Sequence, residues 1–105
     1  MEFAETPLFT KLIVEYLSDD EYRMLQNMLV MDPQMGDIIP GSRGLRKIRW
    51  YSSGRGKRGG LRVIYYWYQA GEVVLLILPY QKTSKSDLTH REIKLLRNIV
   101  EEYFP

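Results

Sequence analysis

Residues 61–80 read LRVIYYWYQAGEVVLLILPY. Two runs rich in β-branched and aromatic residues, 61–69 and 72–80, flank the dipeptide Ala70-Gly71, which is a pattern typical of a β-hairpin. Both runs are apolar at successive positions, so neither strand has a face suited to water. The stretch therefore predicts two central strands of a sheet.

The sequence before this hairpin predicts two helices and two more strands. Residues 45–51 have strand character and are joined to the hairpin by a loop of glycine, serine and cations, residues 52–60. Ser18 and Glu21 form a capping box, so we expect a helix over residues 19–30. The other predicted elements are an extended segment at 2–5, a helix that begins at the Thr6-Pro7 pair, and a turn-rich connector at 34–43. The side chains spaced to face the core are Leu8, Phe9, Leu12, Ile13, Tyr16 and Leu17 in the first helix and Tyr22, Leu25, Met28 and Leu29 in the second.

The sequence after the hairpin predicts one more helix. Thr89 and Glu92 form a second capping box, which places this helix over residues 90–103. Leu88 and Ile93 flank the cap as a hydrophobic staple. The side chains spaced to face the core are Ile93, Leu96, Ile99 or Val100, and Tyr103.

The predicted order of elements is β-αα-βββ-α. Helices followed by a run of adjacent strands favour an α+β fold, with an antiparallel sheet packed against an N-terminal helical hairpin and a C-terminal helix. The connections leave no room for the crossover that a parallel pair requires. The length of 105 residues fits a single domain, residues 1–105.

Composition excludes several classes of protein and site. There is no Cys and one His, which excludes a disulfide scaffold, thiolate zinc sites and a two-histidine nuclease. The longest aliphatic run, residues 73–78, is far shorter than the ~20 residues that span a bilayer, and the acidic N-terminus lacks a signal peptide's apolar region. Residues 54–59 match the dinucleotide pattern G-x-G-x-x-G, but a strand rather than a helix is predicted to follow. We therefore expect a cytoplasmic protein without membrane association, metal or cofactor.

Charge is unevenly distributed along the chain. Residues 43–71 contain eight Lys or Arg and no Asp or Glu, whereas residues 1–42 contain two basic and eight acidic side chains. Strand alternation puts Lys47 and Arg49 on one face, and Arg62 opens the next strand, so pairing of these strands would bring the three cations together. Like charges on neighbouring strands destabilise a sheet, which favours a polyanionic partner over a merely solvated basic surface.

Three segments in order carry a family resemblance: GLRKIRW at 44–50, GKRGGLRVIYY at 56–66 and LILPYQK at 76–82. Together they resemble the HigB branch of the RelE/ParE toxin superfamily, whose order of helices and strands is the same. The resemblance implies a ribosome-dependent mRNA endoribonuclease, the toxin of a type II toxin–antitoxin module, which cleaves mRNA in the ribosomal A site and contacts ribosomal RNA. It also implies a cognate helix-turn-helix antitoxin, with operator DNA contacted only through the toxin–antitoxin complex.

The resemblance also implies roles for individual residues. Lys47, Arg49, Arg62 and Lys82 match the family's catalytic positions. Outside the matched positions, we expect Lys57 and Arg58 to grip RNA, Arg46 and Arg55 to add general attraction to it, and Tyr80 to contact it. Two residues depart from the family pattern, in which an arginine and a tyrosine are expected: Thr83 and Thr89.

The implied chemistry is metal-independent attack of a ribose 2′-OH on the adjacent phosphate, which needs a base, charge stabilisation and an acid. The basic block contains no His, so Lys47 is the candidate base or orienting group. Arg49 and Arg62 would stabilise the phosphorane, because the planar guanidinium suits phosphate. Lys82 or Tyr80 is the candidate acid.

Other functions stay open on the sequence alone. A non-catalytic nucleic-acid-binding module of the same fold would bind RNA with strong salt dependence and leave it intact. A third alternative is a phage or plasmid protein of the same fold whose activity has been lost. This alternative would explain why Thr83 and Thr89 depart from the family pattern. An anionic-membrane binder is disfavoured, because the basic block is not an amphipathic helix.

Overall fold

The structure is a computed structural model that describes residues 1–50, 60–82 and 87–105. Within these residues it has five strands and three helices, which confirms the predicted α+β class. The elements are β1 (Glu2–Glu5), α1 (Pro7–Tyr16), α2 (Asp19–Met31), β2 (Asp37–Ile38), β3 (Leu45–Trp50), β4 (Leu61–Tyr68), β5 (Val73–Gln81) and α3 (His90–Tyr103).

All three helices begin at the caps that the sequence predicts. Thr6, Ser18 and Thr89 each accept a hydrogen bond from the backbone N–H three residues further on. In α2 and α3 the box is closed by Glu21 and Glu92, whose carboxylates accept from the N–H of the cap residue. These bonds satisfy backbone donors that would otherwise lack a partner in the first turn.

The sheet has the order β1-β5-β4-β3-β2. β4 and β5 form the predicted antiparallel hairpin around a turn at residues 69–72, and both are central strands, as expected. At one edge the expectation of an antiparallel sheet is wrong, because β1 pairs with β5 in parallel. The crossover for this pair is the whole intervening chain, residues 6–72, which contains α1, α2 and the other three strands.

The other edge strand, β2, lies where the sequence predicts only a connector. It has two residues, too few for a periodic pattern, and its pairing with β3 puts Asp37 opposite Lys47. Gly36 packs against the ring of Tyr65, where a Cβ would lie 2.7 Å from Cε1. The Tyr65 hydroxyl accepts from the Gly36 N–H at 3.0 Å and donates to the Pro33 carbonyl at 2.7 Å, which anchors β2 to the sheet.

The sheet carries an apolar core on each face. The first, between the sheet and the α1–α2 hairpin, includes Phe9 and Ile13 of α1, its C-cap Leu17, and Leu25 and Leu29 of α2. The second, between the sheet and α3, includes the helical side chains Leu96 and Val100. Three side chains predicted to face inward are exposed, namely Leu8, Met28 and Tyr103. The buried stripe of a helix spans little more than about 100°, so positions at its margin meet solvent. No helix in the described part of the chain is long and apolar enough to cross a bilayer.

Candidate functional site

A cavity of about 340 Å³ opens on the α3 face of the sheet. Its polar and charged lining comes from three strands and from the segment before α3: Asp37, Lys47, Arg49, Tyr80 and Asp87. Its apolar lining consists of Ile38, Ile39, Pro40, Leu88 and Ile93. Two of the predicted catalytic cations, Lys47 and Arg49, therefore share this cavity, as strand alternation indicated.

A row of three side chains crosses the sheet beside the cavity. Arg49 in β3 is directly opposite Arg62 in β4, and Arg62 is directly opposite Tyr80 in β5. Residues paired in this way project from the same face of a sheet. Arg62 is only 4% exposed, so its guanidinium is held inside the protein between the exposed Arg49 and the buried ring of Tyr80.

Acidic side chains from outside the basic block reach this site. The Nζ of Lys47 lies 3.5 Å from Oδ1 of Asp87, whose side chain is 82% exposed. Asp37 lies across from Lys47 in the β2–β3 register. Neither carboxylate could be predicted from the sequence as a neighbour of Lys47, because no local pattern links them to it. The cavity lining therefore carries two cations, Lys47 and Arg49, and two carboxylates, with the buried Arg62 beside it.

Tyr80 contributes a phenol to the wall of the cavity. Its hydroxyl is buried and has no hydrogen-bond partner among the described residues. Burial raises the pKa of Tyr80 above that of a free tyrosine; the charges of Asp87 and Glu92 add to the rise, and those of Arg62 and Arg49 oppose it. The phenol is thus protonated at neutral pH, and the raised pKa makes it a weaker proton donor than a free tyrosine.

The remaining predicted site residues are placed elsewhere. Lys82 is exposed just after β5 and is absent from the cavity lining. Arg46 points to the opposite face of β3, where its guanidinium donates to the carbonyls of Gln34 and Gly36 at 3.1 and 2.8 Å. Thr89 is the N-cap of α3. Several predicted features lie outside the described residues: the RNA contacts Arg55, Lys57 and Arg58, the G-x-G-x-x-G segment, and Thr83.

A metal site is not formed by the residues that the structure describes, since they contain no group of three His, Asp or Glu side chains that could hold an ion. The ionisable groups that line the cavity are those of Lys47, Arg49, Tyr80, Asp37 and Asp87. Guanidinium and ammonium groups bind phosphate, and a protonated phenol can supply a proton.

Comparison with known proteins bears on the architecture. No protein-family model matches the sequence. Among solved structures, the chain is similar to an arginine-to-alanine double mutant of the E. coli toxin RelE in the free state. The TM-score is 0.59 and the sequence identity 19%, over 81% of this chain and 86% of the other. The chain has a RelE-like fold. At 19% identity this similarity concerns the fold alone, that is, the sheet and its helices.

Proposed function

We propose that this protein is a ribosome-dependent mRNA endoribonuclease of the HigB type, the toxin of a type II toxin–antitoxin module. The observation that carries the proposal is the row Arg49–Arg62–Tyr80 beside Lys47, at a cavity of a RelE-like fold. Further support comes from the similar structure, which is that of a toxin, and from the three sequence segments that resemble HigB. Activity would inhibit translation and arrest growth in the cytoplasm.

The proposed reaction is a transesterification within the RNA. The ribose 2′ oxygen bonds to the adjacent phosphorus while the bond from phosphorus to the 5′ oxygen breaks, leaving a cyclic phosphate and a 5′-OH. Lys47 would take the proton of the 2′-OH or orient that hydroxyl. Arg49 would bind the phosphorane oxygens, because fixed donors stabilise charge that develops in the transition state. The buried Arg62 opposite it would add positive potential to the site.

The departing 5′ oxygen needs a proton, and two side chains are candidates for the acid. Tyr80 lines the cavity and is protonated, but its hydroxyl is buried in this conformation. Lys82 is exposed and lies just beyond the end of β5. Tyr80→Phe and Lys82→Ala distinguish them, since loss of the acid lowers the single-turnover cleavage rate by roughly 10²- to 10⁴-fold.

The ribosome would complete this site. Holding the substrate in the reacting geometry lowers the activation barrier considerably. A cleft with few catalytic groups would therefore act efficiently only on RNA that the ribosome positions. We propose mRNA in the ribosomal A site as the substrate and ribosomal RNA as a second contact. A helix-turn-helix antitoxin would inhibit the toxin, and operator DNA would be bound only by the toxin–antitoxin complex.

The test is induced expression followed by mapping of new mRNA 5′ ends. We expect the unaltered chain to arrest growth and to produce ends within translated codons, and Lys47→Ala and Arg49→Ala to lose both effects. Arg49 is exposed, so its substitution leaves the fold intact. Arg23→Ala is the matched control, because it removes an exposed cation from α2, on the other side of the sheet.

Two outcomes would contradict the proposal in different ways. If Lys47→Ala and Arg49→Ala cleave mRNA as the unaltered chain does, the site assignment is wrong. If the unaltered chain leaves mRNA intact but binds RNA with a steep salt dependence, the protein is a non-catalytic nucleic-acid-binding module.

A further inference from the structure

A second cavity, of about 200 Å³, lies next to the first. One wall is a single face of α3, with His90, Lys94 and Arg97 on successive turns. The opposite wall is the loop after β2, which contributes Arg43. Its lining is rich in nitrogen donors and contains no carboxylate.

Positive charge around this second cavity exceeds the negative charge that reaches it. Arg43 Nη2 lies 2.7 Å from Oε2 of Glu101, and Nε of Arg97 lies 3.7 Å from the same oxygen. One carboxylate oxygen thus serves two guanidinium groups. Lys94 adds a third cation, and its side chain is exposed.

Arg97 is the least satisfied of these groups. Its Nε and Nη1 atoms are buried and have no hydrogen-bond partner among the described residues. Its guanidinium carbon lies 5.3 Å from the centroid of the Tyr66 ring, and its side chain is 18% exposed. The nearest anion, the Oε2 atom of Glu101, is shared with Arg43, so it compensates the charge of this guanidinium only in part, which favours a further anion.

The loop opposite α3 is held in place by its own hydrogen bonds. Ser42 is buried, and its hydroxyl donates to the Ile39 carbonyl at 2.6 Å and accepts from the Leu45 N–H at 3.0 Å. Arg43 has a φ of 58° and Gly44 one of 108°, so the chain turns sharply at this point. The backbone position of Arg43 at the rim of the cavity is therefore set by the loop itself.

The two cavities are continuous along one surface. Pro40 and Ile93 line both of them, so a strand that leaves the first cavity at Lys47 and Arg49 passes over these two side chains into the second. A chain of regularly spaced anions fits an arrangement in which cations line both cavities and apolar side chains lie between them. Single-stranded RNA has that character, with phosphates that bind cations and ribose and base surfaces that contact apolar groups.

We propose that the second cavity binds a backbone phosphate of RNA, an inference that rests on the proposed function. Arg43, Lys94 and Arg97 hold the phosphate, and the RNA strand runs from the first cavity over Pro40 and Ile93. The phosphate belongs either to the mRNA being cleaved or to ribosomal RNA beside the A site. The site increases the affinity for RNA and fixes the position of the strand along the two cavities, and it takes no part in proton transfer.

The test compares Lys94→Glu with Lys11→Glu. Both lysines are exposed and each is the fifth residue of its helix, so the two variants have the same net charge and a similar local setting. Binding of a non-cleavable 2′-O-methyl RNA oligonucleotide is measured against salt concentration. We expect Lys94→Glu to weaken binding and to reduce the log–log salt slope by about 0.7, the value for one lost phosphate contact on a single strand. Lys11→Glu should leave the slope unchanged.

A second measurement identifies the source of the phosphate. Binding to ribosomes is measured with the A site empty of mRNA and with mRNA in place. A defect of Lys94→Glu on empty ribosomes assigns the phosphate to ribosomal RNA, whereas a defect that appears only with mRNA or with the free oligonucleotide assigns it to the substrate.

Equal salt slopes and equal ribosome affinities for the two variants would overturn the second phosphate site. That result is distinct from failure of the proposed function. A chain that binds the oligonucleotide but never cleaves translated mRNA fails as a nuclease while the phosphate site stands, and a chain that binds neither RNA nor ribosomes overturns both.

Discussion

At the scale of single residues, Lys47 and Asp87 face each other across the cavity at 3.5 Å. The carboxylate occupies the position next to Nζ that a substrate phosphate would take in the proposed function. Because Asp87 is largely exposed, the pair contributes no more than about 1 kcal/mol to stability. Its main consequence is competition with an incoming anion.

Asp87→Asn should therefore bind RNA more tightly. Removal of the carboxylate leaves Lys47 available to phosphate, so we expect the affinity for the 2′-O-methyl oligonucleotide to rise several-fold and the salt slope to steepen. Asp20→Asn is the control, because it neutralises an exposed carboxylate in the first turn of α2. Equal affinity in the two variants, or unchanged binding with lost mRNA cleavage in Asp87→Asn, would contradict simple competition.

At the scale of elements, α3 serves both cavities. Its first turn and the preceding Asp87-Leu88 segment close the first cavity, while its later turns form a wall of the second. The Thr89 hydroxyl accepts from the Glu92 N–H at 3.1 Å, and the Glu92 carboxylate accepts from the Thr89 N–H at 2.8 Å. The departure from the family pattern at Thr89 thus has a structural role, which is to begin the helix.

Thr89→Ala should destabilise the protein without changing its chemistry. Loss of an N-cap hydroxyl costs about 1 kcal/mol of the free energy of unfolding, and Thr89→Ser should restore most of it. Urea unfolding measures the first effect, and growth arrest at permissive temperature should persist in both variants. A Thr89→Ala protein that is as stable as the unaltered chain but inactive would place Thr89 in the reaction instead.

The elements that could be predicted from the sequence are those specified by residues close together in the chain. The two capping boxes, the Thr6-Pro7 start of α1 and the β4–β5 hairpin depend on residues a few positions apart, and all are present. β2 was missed because two residues carry no period. Its position depends on the close approach of Gly36 to Tyr65, which stands far along the chain.

At the scale of the whole molecule, three tyrosines among the described residues have a pKa above that of a free tyrosine, mainly because of burial: Tyr22, Tyr65 and Tyr80. The hydroxyl of Tyr22 also donates to the Glu5 carboxylate, which opposes ionisation further. Unfolding would expose these phenols, whose pKa is about 10 in the unfolded chain. The unfolded state therefore loses protons at a pH where the folded state keeps them.

The free energy of unfolding should consequently fall as pH rises above about 10, since stability decreases with pH wherever the unfolded state binds fewer protons. At pH values below the tyrosine pKa of the unfolded chain, the stabilisation that these buried phenols provide is fully present. Urea unfolding between neutral and strongly alkaline pH measures the fall, which should be shallower in Tyr22→Phe. Lysine titration is common to both proteins, so an identical pH dependence in the two would contradict this account.

The local pattern of the chain determined the helix starts, the central hairpin and the face shared by Lys47 and Arg49, because capping and strand alternation act over a few residues. Tertiary structure alone decided that β1 pairs in parallel with β5, that Asp37 and Asp87 line the first cavity beside Lys47, and that Arg43 meets α3 across a second cavity. These contacts join segments far apart in sequence. Their geometry follows from packing the whole sheet between its helices, for which no short stretch of sequence carries a signal.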